Sequence, residues 1–169
     1  MTRPTRTEAA AYYFTYIDRI TQDDIVGVME SQLDDVGRIL AGISEEKSLY
    51  RYAPEKWSIR QILCHVNDTE RAFAFRALWF ARGFQDPMPS FDQNISVNAA
   101  RADEYPWASH VAEFQDIRRS SVALFRKLPG EAWMRSGVAS GSHVSVRALA
   151  YIIPGHVSHH LAIIEERYL

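Results

Sequence analysis

The chain has 169 residues, 47% of them apolar and 24% charged, with a formal net charge of -2. That length allows one domain with a full core, and a near-neutral balance gives no electrostatic reason to expect nucleic acid or an anionic membrane as partner. A single cysteine, Cys64, excludes an internal disulfide and suits a reducing compartment. The first residues are basic, but no long apolar core follows them, so no signal peptide is expected. Charges break every apolar run well short of a membrane-spanning length, and the cytoplasm is the expected location.

Residues 1–10 read as a loose lead-in, and the aromatic stretch 11–17 as either an extended piece or an early turn packed on the rest. A first helix is expected over 22–41, where Ile25, Val28, Met29, Leu33, Val36, Ile39 and Leu40 recur at three and four, with Gly42 as a stop. A second, over 59–82, has the best-marked start: Ser58 and Gln61 form a capping-box pair, and Trp57 can staple over Ile62. Its apolar face runs from Ile62 through Val66 and Phe73 to Phe80, interrupted by His65, Thr69 and Glu70. The connection 84–105 exceeds an ordinary helix–helix linker, and a connection of that length suits a crossing between bundle ends.

A third helix is expected over 107–128, with Pro106 at its start. Pro129-Gly130 then breaks the chain, and 137–142 reads as a glycine- and serine-rich loop. A fourth helix, capped by Ser145, runs from Val146 to about Arg167, with Pro154 expected to kink or interrupt it. Four periodic segments with long connections make an all-α four-helix bundle the expected architecture, as one domain over 1–169.

The chemistry gathers on histidines. His156 and His160 form H-x-x-x-H on the fourth helix, one face and about 6 Å apart along the axis, so both can address one metal ion. Two imidazoles do not close a site, and the best third supplier is His65 on the second helix. His159 is the main rival, since it can pair with His156 at i, i+3. Surface histidines, or core histidines satisfied by carbonyls or carboxylates, are the plain alternative. Asp68 and Glu70 lie within reach of the region as acceptors that would orient a ligating ring, although Glu70 reads equally as a solvent-facing residue. His110 and His143 read as solvent-exposed, and Cys64 as a small buried hydrophobe. Arg76, three turns after His65, either binds an anionic group or pairs with an acid on a neighbouring helix.

Two stretches carry a resemblance. Residues 52–71, from Tyr52 through Trp57-Ser58 and Cys64-His65-Val66-Asn67-Asp68, resemble the first signature of the DinB-like (damage-inducible) superfamily, and Gly155-His156-Val157-Ser158-His159-His160-Leu161 resembles the second. The resemblance extends over nearly the whole chain. It implies a metal-binding four-helix bundle in which His65, His156 and His160 hold a divalent ion, nickel or zinc, with His159 outside the triad. It also implies a homodimer acting on a small-molecule substrate, with a low-molecular-weight thiol as cosubstrate. Some relatives are thiol transferases, and others have been called metal-dependent hydrolases. A three-histidine metal with an open position would activate a bound thiol or water, with Asp68 or Glu70 assisting as catalytic residues from outside the metal's ligands. A non-enzymatic, stress-related metal-binding scaffold is the rival class.

Overall fold

The computed structural model describes residues 2–169, leaving Met1 outside the described residues. The lead-in that follows is not loose. Glu8 is buried and bonds Ser145 and Arg147 far along the chain, and Arg3 donates to the Ile17 carbonyl. Residues 11–17 resolve into a 3-10 turn, Ala11–Tyr13, and a single-turn helix α1, Phe14–Ile17. Of the two readings for this stretch, the packed turn is the one the fold adopts.

Asp24 caps α2 (Ile25–Ala41) by accepting from the Gly27 N–H. The Ser58–Gln61 capping box forms as the sequence demands and opens α3, Ile59–Ala81. Residues 84–105 are not structureless: Asp92 accepts from the Asn94 and Ile95 N–H groups and starts α4, Gln93–Ala100. Helix α5, Trp107–Arg126, follows. The expected loop at 137–142 is instead a β-hairpin, β1 (Ser136–Ala139) against β2 (Ser142–Ser145). Its two turn residues, Ser140 and Gly141, both have positive φ, 53° and 73°, the combination that a tight hairpin's twist requires. Met88 extends the hairpin, donating to Val138 and accepting from Ser140. Finally α6, Val146–Arg167, continues through Pro154 without interruption. The missing N–H there removes one bond from the ladder, but the Pro154 carbonyl gains two side-chain donors, Gln32 Nε2 at 3.0 Å and Ser158 Oγ at 3.1 Å.

Helix α3 packs on both α5 and α6, and α2 packs on the same two, so α2 lies diagonally across from α3, and α5 from α6. The core falls into two apolar clusters. One joins Ile25, Met29, Phe73, Phe80, Phe125 and Leu149 near the hairpin. The other joins Val36, Leu40, Ile59, Ile62, Phe114 and Ile164 at the far end. Read along each helix, these clusters show that α2 and α6 run one way and α3 and α5 the other. The connection from α3 to α5 therefore crosses the length of the bundle, as its length suggested.

Between the clusters lies a buried polar layer with one contribution from each long helix. Arg118 on α5 donates Nε and Nη2 to the Glu70 carboxylate on α3, at 2.9 and 2.8 Å, and Nη1 to the Gln32 side-chain carbonyl on α2. Gln32 in turn donates to Pro154 O and Ser158 Oγ on α6. Arg118 is fully enclosed and Glu70 is 2% exposed, so every donor and acceptor must be met within the protein. Helix α1 lies across α6 at Gly155, where an added Cβ would stand 2.2 Å from the Tyr16 carbonyl oxygen. Only glycine permits that approach. Among the described residues no helix is long and apolar enough to cross a membrane.

Candidate metal centre

His65 belongs to α3 and His156 and His160 to α6, and the α3–α6 contact brings all three together. His65 Nε2 lies 3.1 Å from His156 Nε2, which lies 3.0 Å from His160 Nε2. One ligand atom from each residue falls within 4.8 Å of the others, and no carboxylate or thiol joins the group among the described residues. Metal–nitrogen bonds of about 2.1 Å separate neighbouring donors by about 3.0 Å in an octahedral and about 3.4 Å in a tetrahedral arrangement. The observed spacing matches donors that share one ion.

The electrostatics agree with that fit. Burial lowers His65 to about 4. Burial, then the neighbouring His65, lowers His160 to about 3. Burial with the charges of His160 and His65 pushes His156 well below the ordinary imidazole range. All three rings are neutral at physiological pH. The Thr69 hydroxyl is 3.3 Å from His65 Nδ1, placed to accept its proton and leave the Nε2 lone pair facing the other rings. Three lone pairs converging in a buried site repel one another unless a cation or shared protons intervene, so this donor set suits a divalent ion.

The surroundings are aromatic. The Tyr16 ring meets His156 edge-on at 5.0 Å and His159 at 5.3 Å, Phe73 approaches His156 at 6.2 Å, and Trp57 lies 5.1 Å from His65. A cavity of about 220 Å³ opens over His65 and His156, walled by Tyr12, Tyr13 and Tyr16, by Thr69, Phe73 and Arg76 of α3, by Phe91 and Gln93, and by Ser140 of the hairpin. Tyr12 and Tyr16 share a hydrogen bond of 2.5 Å. Burial, reinforced by that bond, pushes the Tyr16 phenol above its ordinary range, so it keeps its proton. A second opening of about 270 Å³ reaches His160 past Tyr52, Trp57 and Tyr168. The triad is thus approached from two sides.

His159 stands outside the group. Its ring packs on Tyr16 and His160, and its Nδ1 finds no protein partner. The two carboxylates expected to assist are placed elsewhere. Glu70 points about 140° around the helix from His65 and is sealed against Arg118, which also corrects its solvent-facing reading. Asp68 accepts from Ser96 Oγ at 2.8 Å and from Arg71, tying α4 to α3, and it lines a separate cavity with Cys64, Arg71 and Glu113. Neither faces the cavity over the triad. His110 is likewise buried rather than exposed, with Nε2 2.9 Å from the Ala102 carbonyl, because the segment after α4 folds over it. His143 is exposed and Cys64 buried, as read. Burial pushes the Cys64 thiol up to about 11, which leaves it inert near neutral pH. The sequence reading missed Tyr12 and Tyr16, which arrive from a distant segment, and Thr69, which the i, i+4 offset from His65 could have identified.

Comparison with known proteins agrees with this picture. YfiT from Bacillus subtilis, described as a probable metal-dependent hydrolase with an unusual four-helix bundle topology, superposes with a TM-score of 0.76 at 16% identity, covering 98% of this chain and 90% of its own. A mycothiol-dependent maleylpyruvate isomerase gives a TM-score of 0.69 at 12% identity over 86% of this chain, and a histidine-to-alanine mutant of that isomerase gives the same score at 11%. This chain covers 61% of the isomerase's length. At such identities the likeness is one of fold. No curated protein matches by sequence. The model of the DinB superfamily matches residues 29–164, which contain all three clustered histidines and all four long helices but for the first turn of α2 and the last of α6, and the chain belongs to that superfamily.

Proposed function

We propose that this protein is a divalent-metal-dependent transferase that joins a low-molecular-weight thiol to an electrophilic small molecule. One observation carries the reading. The cavity over His65 and His156 contains no cysteine, lysine or carboxylate, and its Thr69 and Ser140 hydroxyls are engaged by His65 and Arg76, which favours a nucleophile that enters with the substrates over one from the chain. His65, His156 and His160 would hold the ion, a donor set that suits zinc, nickel, iron or copper, with nickel or zinc the choice the family resemblance implies. Such an ion supplies Lewis acidity that keeps a thiol or water deprotonated near neutral pH. The chain's own share is positional. Thr69 orients the His65 ring, the aromatic walls offer an apolar surface for a substrate body, and the protonated Tyr16 hydroxyl offers a donor. In the transfer, a carbon–sulfur bond forms, the bond to the leaving group breaks with its electron pair, and the thiol proton goes to solvent or the departing group. The thiol-dependent chemistry named for the isomerase of similar fold favours this order of preference.

Hydrolysis of a small amide or ester is the second reading, favoured by the description of YfiT. Metal-loaded protein incubated with a generic electrophile and a panel of small cellular thiols, beside ester and amide substrates, separates the two. Conjugation that requires both metal and thiol and vanishes in His160→Ala is expected. Thiol-independent turnover of an ester or amide, lost in the same variant, assigns the protein to hydrolysis. No turnover at full metal loading favours a metal-binding scaffold.

A further inference from the structure

Four arginines are buried among the described residues, and three of them meet a carboxylate: Arg60 faces Glu45, Arg118 faces Glu70 and Arg147 faces Glu8. The fourth, Arg76, is 5% exposed and has no acidic partner. Its Nη2 donates to two neutral oxygens, Pro89 O at 2.8 Å and Ser140 Oγ at 3.0 Å, while its Nε and Nη1 donate to no atom of the described residues. A guanidinium this far removed from bulk water without a counter-charge carries a desolvation cost, and Arg76 bears it at a cavity wall. Arg76 lines the same cavity as His65 and His156, and no acidic side chain lines it. Apart from the histidines, which burial keeps neutral, Arg76 is the only charged group there, so the cavity carries a net positive charge.

The elements that hold Arg76 are themselves tied to the hairpin. Ser140 sits at the hairpin tip with φ 53°, and Met88, next to Pro89, is bonded to Val138 and Ser140. These contacts pin one edge of the guanidinium and leave the rest facing the space. Phe73 supports it from the side, with the guanidinium carbon 5.9 Å from the ring centroid. Most of the remaining wall, Tyr12, Tyr13, Tyr16 and Phe91, is aromatic, and the rest, Thr69, Ala72 and Gln93, is uncharged.

We propose that Arg76 is an anchoring subsite for an oxyanion, a carboxylate or a phosphate monoester, borne by a small substrate whose apolar or aromatic body packs on the tyrosines and presents its reactive centre to the triad. The reactive-centre half of this statement rests on the transferase reading above; the anion subsite does not. In reaction terms Arg76 is a specificity residue: it binds the end of the substrate that does not react.

The test is binding, with chelator-treated protein near pH 7.5, followed by ligand-detected NMR and calorimetry. The probes are benzoate, phenyl phosphate and the neutral isostere benzamide. At least one anion is expected to bind about tenfold more tightly than benzamide, with that preference abolished in Arg76→Gln and partly kept in Arg76→Lys. Circular dichroism verifies the fold of each variant, and the anion-to-benzamide comparison in the unaltered chain stands even if Arg76→Gln does not fold. Preference for phenyl phosphate over benzoate identifies the group as phosphate, and the reverse as carboxylate. Equal binding of anions and benzamide, undiminished anion binding in a folded Arg76→Gln, or no anion binding at millimolar concentration overturns the subsite. Turnover is not the readout, so an Arg76-dependent anion site with no thiol conjugation removes the reaction and keeps the subsite.

Discussion

Replacing Glu70 by alanine is the sharpest test of the polar layer, because the two roles considered for this residue predict opposite outcomes. An assisting acid on a partly solvated helix face would affect turnover and leave stability within about 0.5 kcal/mol. The structure instead encloses Glu70 against Arg118, which is fully buried and donates two charge-assisted bonds of 2.9 and 2.8 Å to it. Removing the acid strands a guanidinium in the core, a loss of about 3–5 kcal/mol. For a chain of this size each kcal/mol moves the melting temperature by about 2–4 °C, so Glu70→Ala should melt about 6–20 °C lower. The double variant Glu70→Leu/Arg118→Met removes both charges and should recover most of the loss, giving a large coupling energy in the cycle. Metal stoichiometry should stay at the level of the unaltered chain in every folded variant, since neither residue belongs to the histidine group. Melting of Glu70→Ala within about 2 °C of the parent, or a coupling near zero, would refute the reasoning.

Elemental analysis of protein prepared without chelator or affinity tag should find metal lost in His65→Ala, His156→Ala and His160→Ala and retained in His159→Ala; retention in any of the first three removes that residue from the site. Burial would raise Glu8, but the hydrogen bonds from Arg147, Thr5 and Ser145 outweigh it and hold the acid at about 2. Its stabilising contribution is therefore complete above the unfolded carboxyl range, near pH 4.5, and is lost as pH falls toward 2, so Glu8→Gln should flatten the dependence of melting temperature on pH across that window while an unchanged slope counts against the pairing. Gly155→Ala should push α1 off α6 at a cost of about 1–3 kcal/mol, read by thermal denaturation; an unchanged melting temperature would mean that the Tyr16 carbonyl yields freely.

The long helices were legible because their ends are signalled locally. Ser58 and Gln61 mark the start of α3 to the residue, and Asp24 moved the start of α2 from the expected 22 to Ile25 through a side-chain bond to Gly27. Helix α4 escaped notice because it is short and buries only Val97, so it carries no stripe to read. The hairpin escaped because its strands are four residues long and its turn is Ser-Gly rather than the stronger Asn-Gly signal. Helical spacing put His156 and His160 on one face but left His159 as a rival, which the family resemblance decided, while the partners of Asp68 and Glu70 could be read from neither. Those depend on which helix lies beside α3, and the diagonal arrangement sets α5 and α4 there. Burial of His110 had the same origin, a covering segment remote from the apolar stripe of its own helix.

Helices α3 and α5 are neighbours that run in the same direction, so the chain must travel back along the bundle before it can begin the second of them. A helix of α5's length spans about 30 Å, and about nine extended residues would cover that distance. The chain between Ala81 and Trp107 is more than twice as long, and the surplus supplies α4, the Pro89 carbonyl and the Phe91 and Gln93 walls. The return path thus doubles as the roof of the chamber. Phe91 and Gln93, which wall the chamber, are exposed and lie outside both apolar clusters, unlike the buried Val97 and Ala102 further along, so a descendant of this protein could acquire a new diet by rewriting the first part of the detour alone.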